Sequence, residues 1–284
     1  MPLTRLKCSK GYIEPRIESC IECENLGIKK CDYTLALLST MLKDLSLNAD
    51  PSEIHVTDLT SCIRSAVLKK LYPYTESIDD LLWRVRGKVF HRMLEMEKVP
   101  NVLAEYPFQI TFKFKKHKFK LVGVCDEYYP DQQLIVDYKS TLQVPSTPYS
   151  NHKWQLNFYR YMAKKQLGID TKLRIVYMDA YQVKQLEVQA LPFPEIEQEL
   201  ESRLRSYVLV LDYLKNFDGE EFLILEFPHW YCQYCPKEIR PYCWAIEMLK
   251  ILKSMKVDVK NKSKFIDVFA KHAINITPAD LLFR

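Results

Sequence analysis

The order of apolar and polar side chains divides the chain into helical and extended segments. Apolar periodicity and capping residues predict helices at residues 34–47, 62–72, 77–99, 149–167 and 194–216, with a short helix after residue 243. Segments rich in β-branched and aromatic residues predict strands at 104–114, 119–129, 133–139, 173–181 and 185–191. Because short polar turns join the first three strands, we expect an antiparallel meander within an α/β (α+β) fold.

Composition indicates a folded protein and excludes several classes of nucleotide-binding enzyme. Of the 284 residues, 48% are hydrophobic, which is enough for a sizeable core. The six glycines are too widely spaced for a dinucleotide-binding motif, a P-loop or a nucleophile elbow. The apolar runs are far shorter than the roughly 18 residues that span a bilayer, and residues 1–8 lack an apolar signal core. We therefore expect a cytoplasmic protein without membrane contact.

The charge balance permits an acidic partner without requiring one. Lysine and arginine number 41 against 36 acids, a net charge of +5. Lysines cluster at residues 113–120 and 250–264. Such clusters create local positive fields that suit phosphate groups, although a run of charge is also typical of a solvated face.

The cysteines indicate metal chemistry. Two groups share the spacing C-x2-C-x7-C, namely Cys20, Cys23 and Cys31, then Cys232, Cys235 and Cys243. A C-x2-C pair aims two thiolates at one ion, and four thiolates suit either zinc or an iron–sulfur cluster. Each group lacks a fourth ligand, for which Cys8 and Cys62 are the candidates. Cys125, inside an apolar predicted strand, is interpreted as a core thiol.

A carboxylate ends the apolar run of each of two neighbouring predicted strands. Strand alternation places Asp126 on one face with Val122 and Val124, and places Asp137 on one face with Lys139. If these strands pair, the two carboxylates approach each other. Adjacent carboxylates repel unless a cation lies between them, and their oxygens favour Mg²⁺ or Mn²⁺.

Two helices add polar side chains to this picture. On the predicted helix 77–99, Gly87 and His91 lie on a line opposite the main apolar stripe, so His91 is not simply a core residue. On the helix 149–167, Gln155 and Tyr159 are four residues apart and share a face. Each feature alone is common, but their order along the chain is specific.

In that order the residues resemble the RecB-type branch of the PD-(D/E)XK nucleases. The resemblance is greatest to the CRISPR-associated RecB-like exonucleases with an iron–sulfur cluster (the Cas-four type), and it covers about residues 52–249. The matching segments are Gly87-x3-His91-x3-Glu95, Gly123-Val-Cys-Asp126, Ile135-Val-Asp137-Tyr-Lys139 and Gln155-x3-Tyr159. The resemblance implies a restriction-endonuclease-like core, with a central mixed sheet flanked by helices and cysteine-ligated metal sites.

The resemblance also implies a role for each residue of the active site. The metal ligands for Mn²⁺ or Mg²⁺ would be His91, Asp126, Asp137 and the carbonyl of Tyr138. Lys139 would position or help to activate the attacking water. Gln155 and Tyr159 would contact DNA or brace the metal site.

The same resemblance assigns the second cysteine group to a structural cluster. It implies a [4Fe–4S] cluster on Cys62, Cys232, Cys235 and Cys243. The remaining four, Cys8, Cys20, Cys23 and Cys31, would then form a separate site for Zn²⁺. Because both groups have the same spacing, an exchange of Cys8 and Cys62 between the two sites stays open.

These expectations divide the chain into four segments. They are a cysteine-containing module with a helix at residues 1–50, a RecB-like nuclease core at 51–225, the cluster region at 226–253 and a helical tail at 254–284. The expected activity is a metal-dependent exonuclease on single-stranded or frayed DNA, processing ends or prespacers in CRISPR adaptation.

Two alternatives share this architecture. The first is a subunit that recognises DNA ends or a motif within a CRISPR integrase complex and cleaves weakly. The second is a recombination or repair nuclease of a virus or mobile element. The expected protein partners are CRISPR integrase proteins, and further copies of the same chain in a homo-oligomer.

Overall fold

The computed structural model describes most of the central part of the chain and shorter pieces on either side. The described residues are 5–7, 13–14, 23, 33–34, 36–39, 50–72, 74–78, 81–82, 85, 87, 89, 96, 99–114, 117–216, 235–236, 239–255 and 259–273. The chain divides into two compact units, the first formed by residues 1–51, 62–85 and 206–284 and the second by residues 52–61 and 86–205. The acids and the lysine of the predicted active site all lie in the second unit.

From residue 103 onwards the described strands and helices follow the predicted order, whereas four short strands and a short helix before residue 78 were not predicted. The strands are β1 (Arg5–Lys7), β2 (Ile13–Glu14), β3 (Glu53–His55), β4 (Thr75–Ser77), β5 (Leu103–Phe114), β6 (His117–Tyr129), β7 (Leu134–Ser140), β8 (Lys172–Met178) and β9 (Val183–Glu187). The helices are α1 (Val56–Thr60), α2 (Ile63–Leu71), α3 (Ser150–Leu167), α4 (Phe193–Asn216), α5 (Arg240–Ser254) and α6 (Lys262–Ala273). Residues 36–39 are also helical, as are 78, 81, 82, 85, 87, 89 and 96 within the predicted helix 77–99.

The second unit contains a six-stranded mixed sheet. Its strand order is β3-β6-β7-β8-β9, with β5 paired to β6. Strands β5, β6 and β7 pair antiparallel, which confirms the meander, whereas β7 and β8 are parallel. A parallel neighbour needs a long crossover connection, and α3 provides it. The predicted α/β (α+β) fold with a central mixed sheet flanked by helices is thereby confirmed.

Helix α3 lies against the sheet and carries side chains to the site described below. Its inward face is buried, including Leu156, Phe158 and Met162 at 0% exposure. The helix ends at Gly168, whose φ of 73° is in the left-handed region and whose N–H bonds to the carbonyl of Lys164. The α3 helix is therefore fixed in position by apolar burial and stopped by a residue suited to the turn.

The first unit combines a small sheet with helices. The sheet has the order β2-β1-β4. Cys62 precedes α2 as its N-terminal capping residue, with φ −72° and ψ 105°. The sequence predicts Cys62 in the first helical turn, whereas the helix begins one residue later, at Ile63. Among the described helices, none combines the length and the apolar composition needed to cross a membrane.

Candidate active site

The ladder between β6 and β7 ends beside the two predicted acids. Its last backbone pair joins Glu127 and Val136. One residue further along each strand lie Asp126 and Asp137. The Asp126 carboxylate accepts a hydrogen bond from the backbone N–H of Tyr138 at 2.5 Å. The Asp126 side chain thus takes the place of the backbone carbonyl that would accept this bond if the ladder continued. The bond also fixes Asp126 beside β7.

The buried Asp137 forms an ion pair with Lys139, which is partly exposed. The Asp137 side chain is 1% exposed, and its Oδ2 lies 2.7 Å from Lys139 Nζ. Burial acts to lower the pKa of Lys139, but the carboxylates of Asp137 and Asp126 outweigh burial and raise this pKa above its ordinary value. The lysine therefore stays charged, and two carboxylates face one ammonium group. This excess of negative charge attracts a cation.

Gln155 and Tyr159 of α3 support Asp137. Gln155 Nε2 donates to Asp137 Oδ1 at 3.3 Å and to the Tyr159 hydroxyl at 2.8 Å. The two side chains are only 5% and 2% exposed, respectively. Burial, and then the charge of Asp137, raise the pKa of Tyr159 well above its usual value, so the phenol stays protonated. In this geometry the pair braces the acid.

Gly123 makes room for Tyr159 at the sheet. A Cβ at this position would lie 2.6 Å from Cε1 and 2.9 Å from Cδ1 of Tyr159. It would also lie 3.0 Å from Cγ2 of Val56. Since such approaches are far inside ordinary contact, a larger residue would displace the ring. Gly123 is therefore needed for close packing of α3 on β6.

Regular alternation along β6 breaks down next to Asp126. The ladder with β5 pairs Ala104 with Glu127 and Tyr106 with Cys125, and Glu105 between them has φ 48°. This is a local irregularity of the kind that redirects side chains at active sites. Val124 is 37% exposed while Asp126 is 9% exposed, so burial along the expected common face of Val122, Val124 and Asp126 is uneven.

Glu127 lies on the opposite face of the sheet from this site. Its carboxylate accepts hydrogen bonds from the hydroxyls of Tyr129 at 2.8 Å and Tyr138 at 3.0 Å. Burial and the Glu127 carboxylate raise the pKa of both phenols, that of Tyr129 to about 12. Asp126 and Glu127 are neighbours in one strand, but their carboxylates thus lie in separate environments.

The sequence interpretation missed His152 and Tyr177 at the edge of the site. His152 precedes Gln155 by three residues and Tyr159 by seven, so all three share one helical face. Its Nδ1 lies 2.8 Å from the Tyr177 hydroxyl. Burial, followed by the charge of Lys139, lowers the pKa of His152 to about 4. The helical spacing alone could have identified it.

Not every predicted ligand can be placed. His91 and Glu95 lie outside the described residues. Gly87 is helical, and a Cβ on it would meet nothing within 4 Å. Within the part of the chain that the structure describes, no three His, Cys, Asp or Glu side chains form a group that could hold a metal ion. The acid pair nevertheless fits a divalent cation, because two hard oxygen donors converge beside a buried excess of negative charge.

The cysteine site lies in the first unit. Ser65 Oγ is 3.5 Å from the sulfur of Cys235, and Arg64 Nη1 is 4.0 Å from the sulfur of Cys243. Burial raises the pKa of Cys243 to about 12, Arg64 opposes this, and the nearby Cys62 and Cys235 add to it. Three of the predicted cluster cysteines are therefore brought into one buried region.

The other predicted cysteines fall largely beyond the described ranges. Cys8, Cys20, Cys31 and Cys232 lie outside them, and Cys23 is described as a partly buried residue. Cys125 is 0% exposed, as a core thiol would be.

Comparisons with known proteins bear on this geometry. Residues 96–243 match the model of the family described as the PD-(D/E)XK nuclease superfamily. No curated protein matches the chain. Among solved structures, a protein designated SSO0001 has a TM-score of 0.48 at 19% identity, over 69% of this chain and 89% of that chain.

Two further solved structures are similar to parts of the chain. A phage-related exonuclease from Haemophilus somnus 129PT has a TM-score of 0.36 at 11% identity, over 58% of this chain and 96% of its own. A protein from Eubacterium rectale provisionally assigned as an exonuclease has a TM-score of 0.33 at 14% identity, over 44% of this chain and 52% of its own.

Proposed function

Because the chain belongs to the PD-(D/E)XK nuclease superfamily, whose members generally use divalent metals, we propose that it is a metal-dependent deoxyribonuclease that shortens DNA from its ends. The observation that carries the proposal is the cluster at the end of the β6–β7 ladder. There Asp137 is 1% exposed, its Oδ2 lies 2.7 Å from Lys139 Nζ, and Asp126 is held against the next backbone N–H. Acids of this spacing before a lysine match the pattern that names the family.

The proposed ligands of Mn²⁺ or Mg²⁺ are Asp126, Asp137, the carbonyl of Tyr138 and His91. When bound, the cation supplies charge stabilisation for the phosphoryl oxygens and lowers the pKa of a coordinated water. The protein contributes a fixed donor set: the Tyr138 N–H holds Asp126, and Gln155 holds Asp137. Asp137 is thus restrained from two sides, by Gln155 at one oxygen and Lys139 at the other.

Lys139 has a separate role in this proposal. Its ammonium stays charged because Asp137 and Asp126 outweigh the effect of burial. In this proposal the charged lysine places positive charge beside the scissile phosphate and donates a hydrogen bond to the attacking water. This assignment predicts that replacing Lys139 by a neutral side chain of similar size abolishes cleavage.

The finer proposals rest on the order of motifs along the sequence. We assign the chain to exonucleases that act on single-stranded or frayed ends, with processing of prespacers in CRISPR adaptation as the setting. A [4Fe–4S] cluster on Cys62, Cys232, Cys235 and Cys243 is part of this assignment. Its support is that Cys62, Cys235 and Cys243 are all buried and that the first two are near enough to Cys243 to raise its pKa. The cluster is given a structural role, because hydrolysis needs no electron. A Zn²⁺ site on the first cysteine group belongs to the same proposal.

The test is digestion of end-labelled single-stranded and duplex DNA by anaerobically purified protein, with Mn²⁺ or with EDTA. The decisive variant is Asp137→Ala, and Glu127→Gln is its control, since Glu127 is a buried acid on the other face of the same sheet. Metal-dependent shortening that is lost only in Asp137→Ala supports the proposal. Binding without shortening would contradict it and would favour a recognition subunit of an integrase complex.

A further inference from the structure

Three aromatic side chains form a cluster beside the proposed catalytic lysine. We call Tyr149, His152 and Tyr177 the aromatic corner. Each pair of rings has its centroids 5.7 Å apart, with Tyr149 nearly perpendicular to Tyr177 at 81°. Tyr177 is fully buried, whereas Tyr149 is 46% exposed. The cluster thus anchors a solvent-facing aromatic ring on a buried one.

The aromatic corner lies next to the active site in the sheet. Tyr177 on β8 is the direct partner of Lys139 on β7 in the parallel ladder. On its other side Tyr177 pairs with Lys184 on β9. Two lysines therefore flank Tyr177 in one row across the sheet. The charge of Lys139 also reaches His152, where it favours the neutral imidazole.

Hydrogen bonding fixes the orientation of His152. The buried Tyr177 hydroxyl accepts a hydrogen bond from the backbone N–H of Tyr149 at 3.1 Å. Its own proton then has His152 Nδ1 as an acceptor, 2.8 Å away. If Nδ1 accepts, the neutral imidazole carries its proton on Nε2. In that tautomer His152 donates from Nε2, the nitrogen that is not bonded to Tyr177.

We propose that the aromatic corner binds one unpaired nucleotide of the DNA strand next to the scissile phosphate, with Tyr149 stacking on the base and His152 Nε2 donating to a phosphate. The identity of the ligand as DNA rests on the proposed nuclease function. An exposed aromatic ring stacks on any base that has left its duplex, whereas a paired base is already stacked on its neighbours. The subsite therefore selects single strands and frayed ends, and the lysines on either side of Tyr177 suit the phosphates of such a strand.

The test separates binding from cleavage. Full-length protein carrying Asp137→Asn, which is not expected to cleave, is titrated with a fluorescent single-stranded oligonucleotide and with a blunt duplex of equal length. Tyr149→Ala is expected to weaken single-strand binding by about 5- to 100-fold, the range for losing one base stack, with a smaller loss on duplex. Tyr149→Phe keeps the ring and is expected to recover most of the affinity.

His152 is tested in the same background with a conservative pair. His152→Ala is expected to weaken single-strand binding by about tenfold, since a hydrogen bond to a charged group is lost. His152→Gln, whose amide N–H reaches in the same direction as Nε2, is expected to restore part of it. The thermal unfolding of each variant is measured alongside the titrations. An equal loss of single-strand affinity in His152→Ala and His152→Gln would indicate lost packing and would count against the subsite.

The outcomes distinguish this inference from the proposed nuclease function. Equal losses on single strand and duplex, or no loss in Tyr149→Ala, would overturn the subsite even if the wild type cleaves DNA with Mn²⁺. Single-strand binding that depends on Tyr149 in a protein without any cleavage would support the subsite and contradict the nuclease.

Discussion

Substitution of Gly123 by alanine tests whether close packing of α3 on the sheet holds the active site. The added Cβ would lie 2.6 Å from Tyr159 Cε1, about 1 Å inside the usual carbon contact of roughly 3.5–4.0 Å. The ring cannot retreat freely, because Tyr159 is 2% exposed and its hydroxyl is bonded to Gln155 at 2.8 Å. A shift of about 1 Å would take this bond beyond the usual limit of about 3.2 Å.

The expected magnitudes follow from these distances. Overpacking of this kind typically lowers the free energy of unfolding by about 1–3 kcal/mol. For a chain of this size, each kcal/mol lowers Tm by roughly 2–4 °C. The same displacement loosens Gln155, which supports Asp137, and a misplacement of about 1 Å in an active site can reduce cleavage by about 100-fold. We therefore expect a moderate loss of stability and a larger loss of activity.

The assay compares thermal unfolding and Mn²⁺-dependent DNA cleavage in four variants: Gly123→Ala, Gly87→Ala, Tyr159→Leu and Gly123→Ala combined with Tyr159→Leu. Gly87→Ala is the control for stability, because this helical glycine has nothing within 4 Å of an added Cβ and alanine favours a helix by about 1 kcal/mol. The double variant Gly123→Ala/Tyr159→Leu relieves the steric conflict. The losses of unfolding free energy in the two single variants should therefore add up to more than the loss in the double variant. Strict additivity, or a Gly123→Ala protein with wild-type Tm and cleavage, would refute the packing argument.

Further predictions concern the acid, the lysine, the cysteines and pH. Asp137→Ala and Lys139→Ala should each abolish cleavage while DNA binding persists in a gel-shift assay; retained cleavage would refute the assigned site. Cys232→Ser should lose the visible absorbance of the proposed iron–sulfur cluster and lower Tm. Cys20→Ser should leave the iron content unchanged, and a fall in iron would show that the ligands are divided wrongly between the two proposed sites. Because the folded pKa of His152 is lowered from 6.5 to about 4, the unfolded chain binds more protons between these values, and stability should fall as pH falls through that window. Denaturant unfolding at pH 7 and pH 5 should show a weaker pH dependence in His152→Gln, and an identical dependence would contradict the assignment.

Much of the fold could be predicted because its signals are local. The strands of the meander and the long helix α3 were predicted to within a few residues, since β-branched runs and helical periodicity are written into short stretches of sequence. The start of α2 was placed one residue early, because the conformation of Cys62 as a capping residue depends on its surroundings as well as its type.

The candidate site, like the fold, could be predicted from the sequence only in part. The sequence determined the chemistry that is available: acids at the ends of two apolar strands, a lysine two residues after one of them, and Gln155 and Tyr159 on one helical face. Spacing in the chain sufficed for these, because strand and helix periods decide which side chains share a face.

Only the tertiary structure decided how these groups meet. Asp126 is 9% exposed where the β6–β7 ladder ends, and its carboxylate accepts a hydrogen bond from the Tyr138 N–H. The place of Tyr177 beside Lys139 depends on the register of two parallel strands that α3 separates in sequence. Pairing over such a distance is governed by packing of the whole sheet, and no local pattern encodes it.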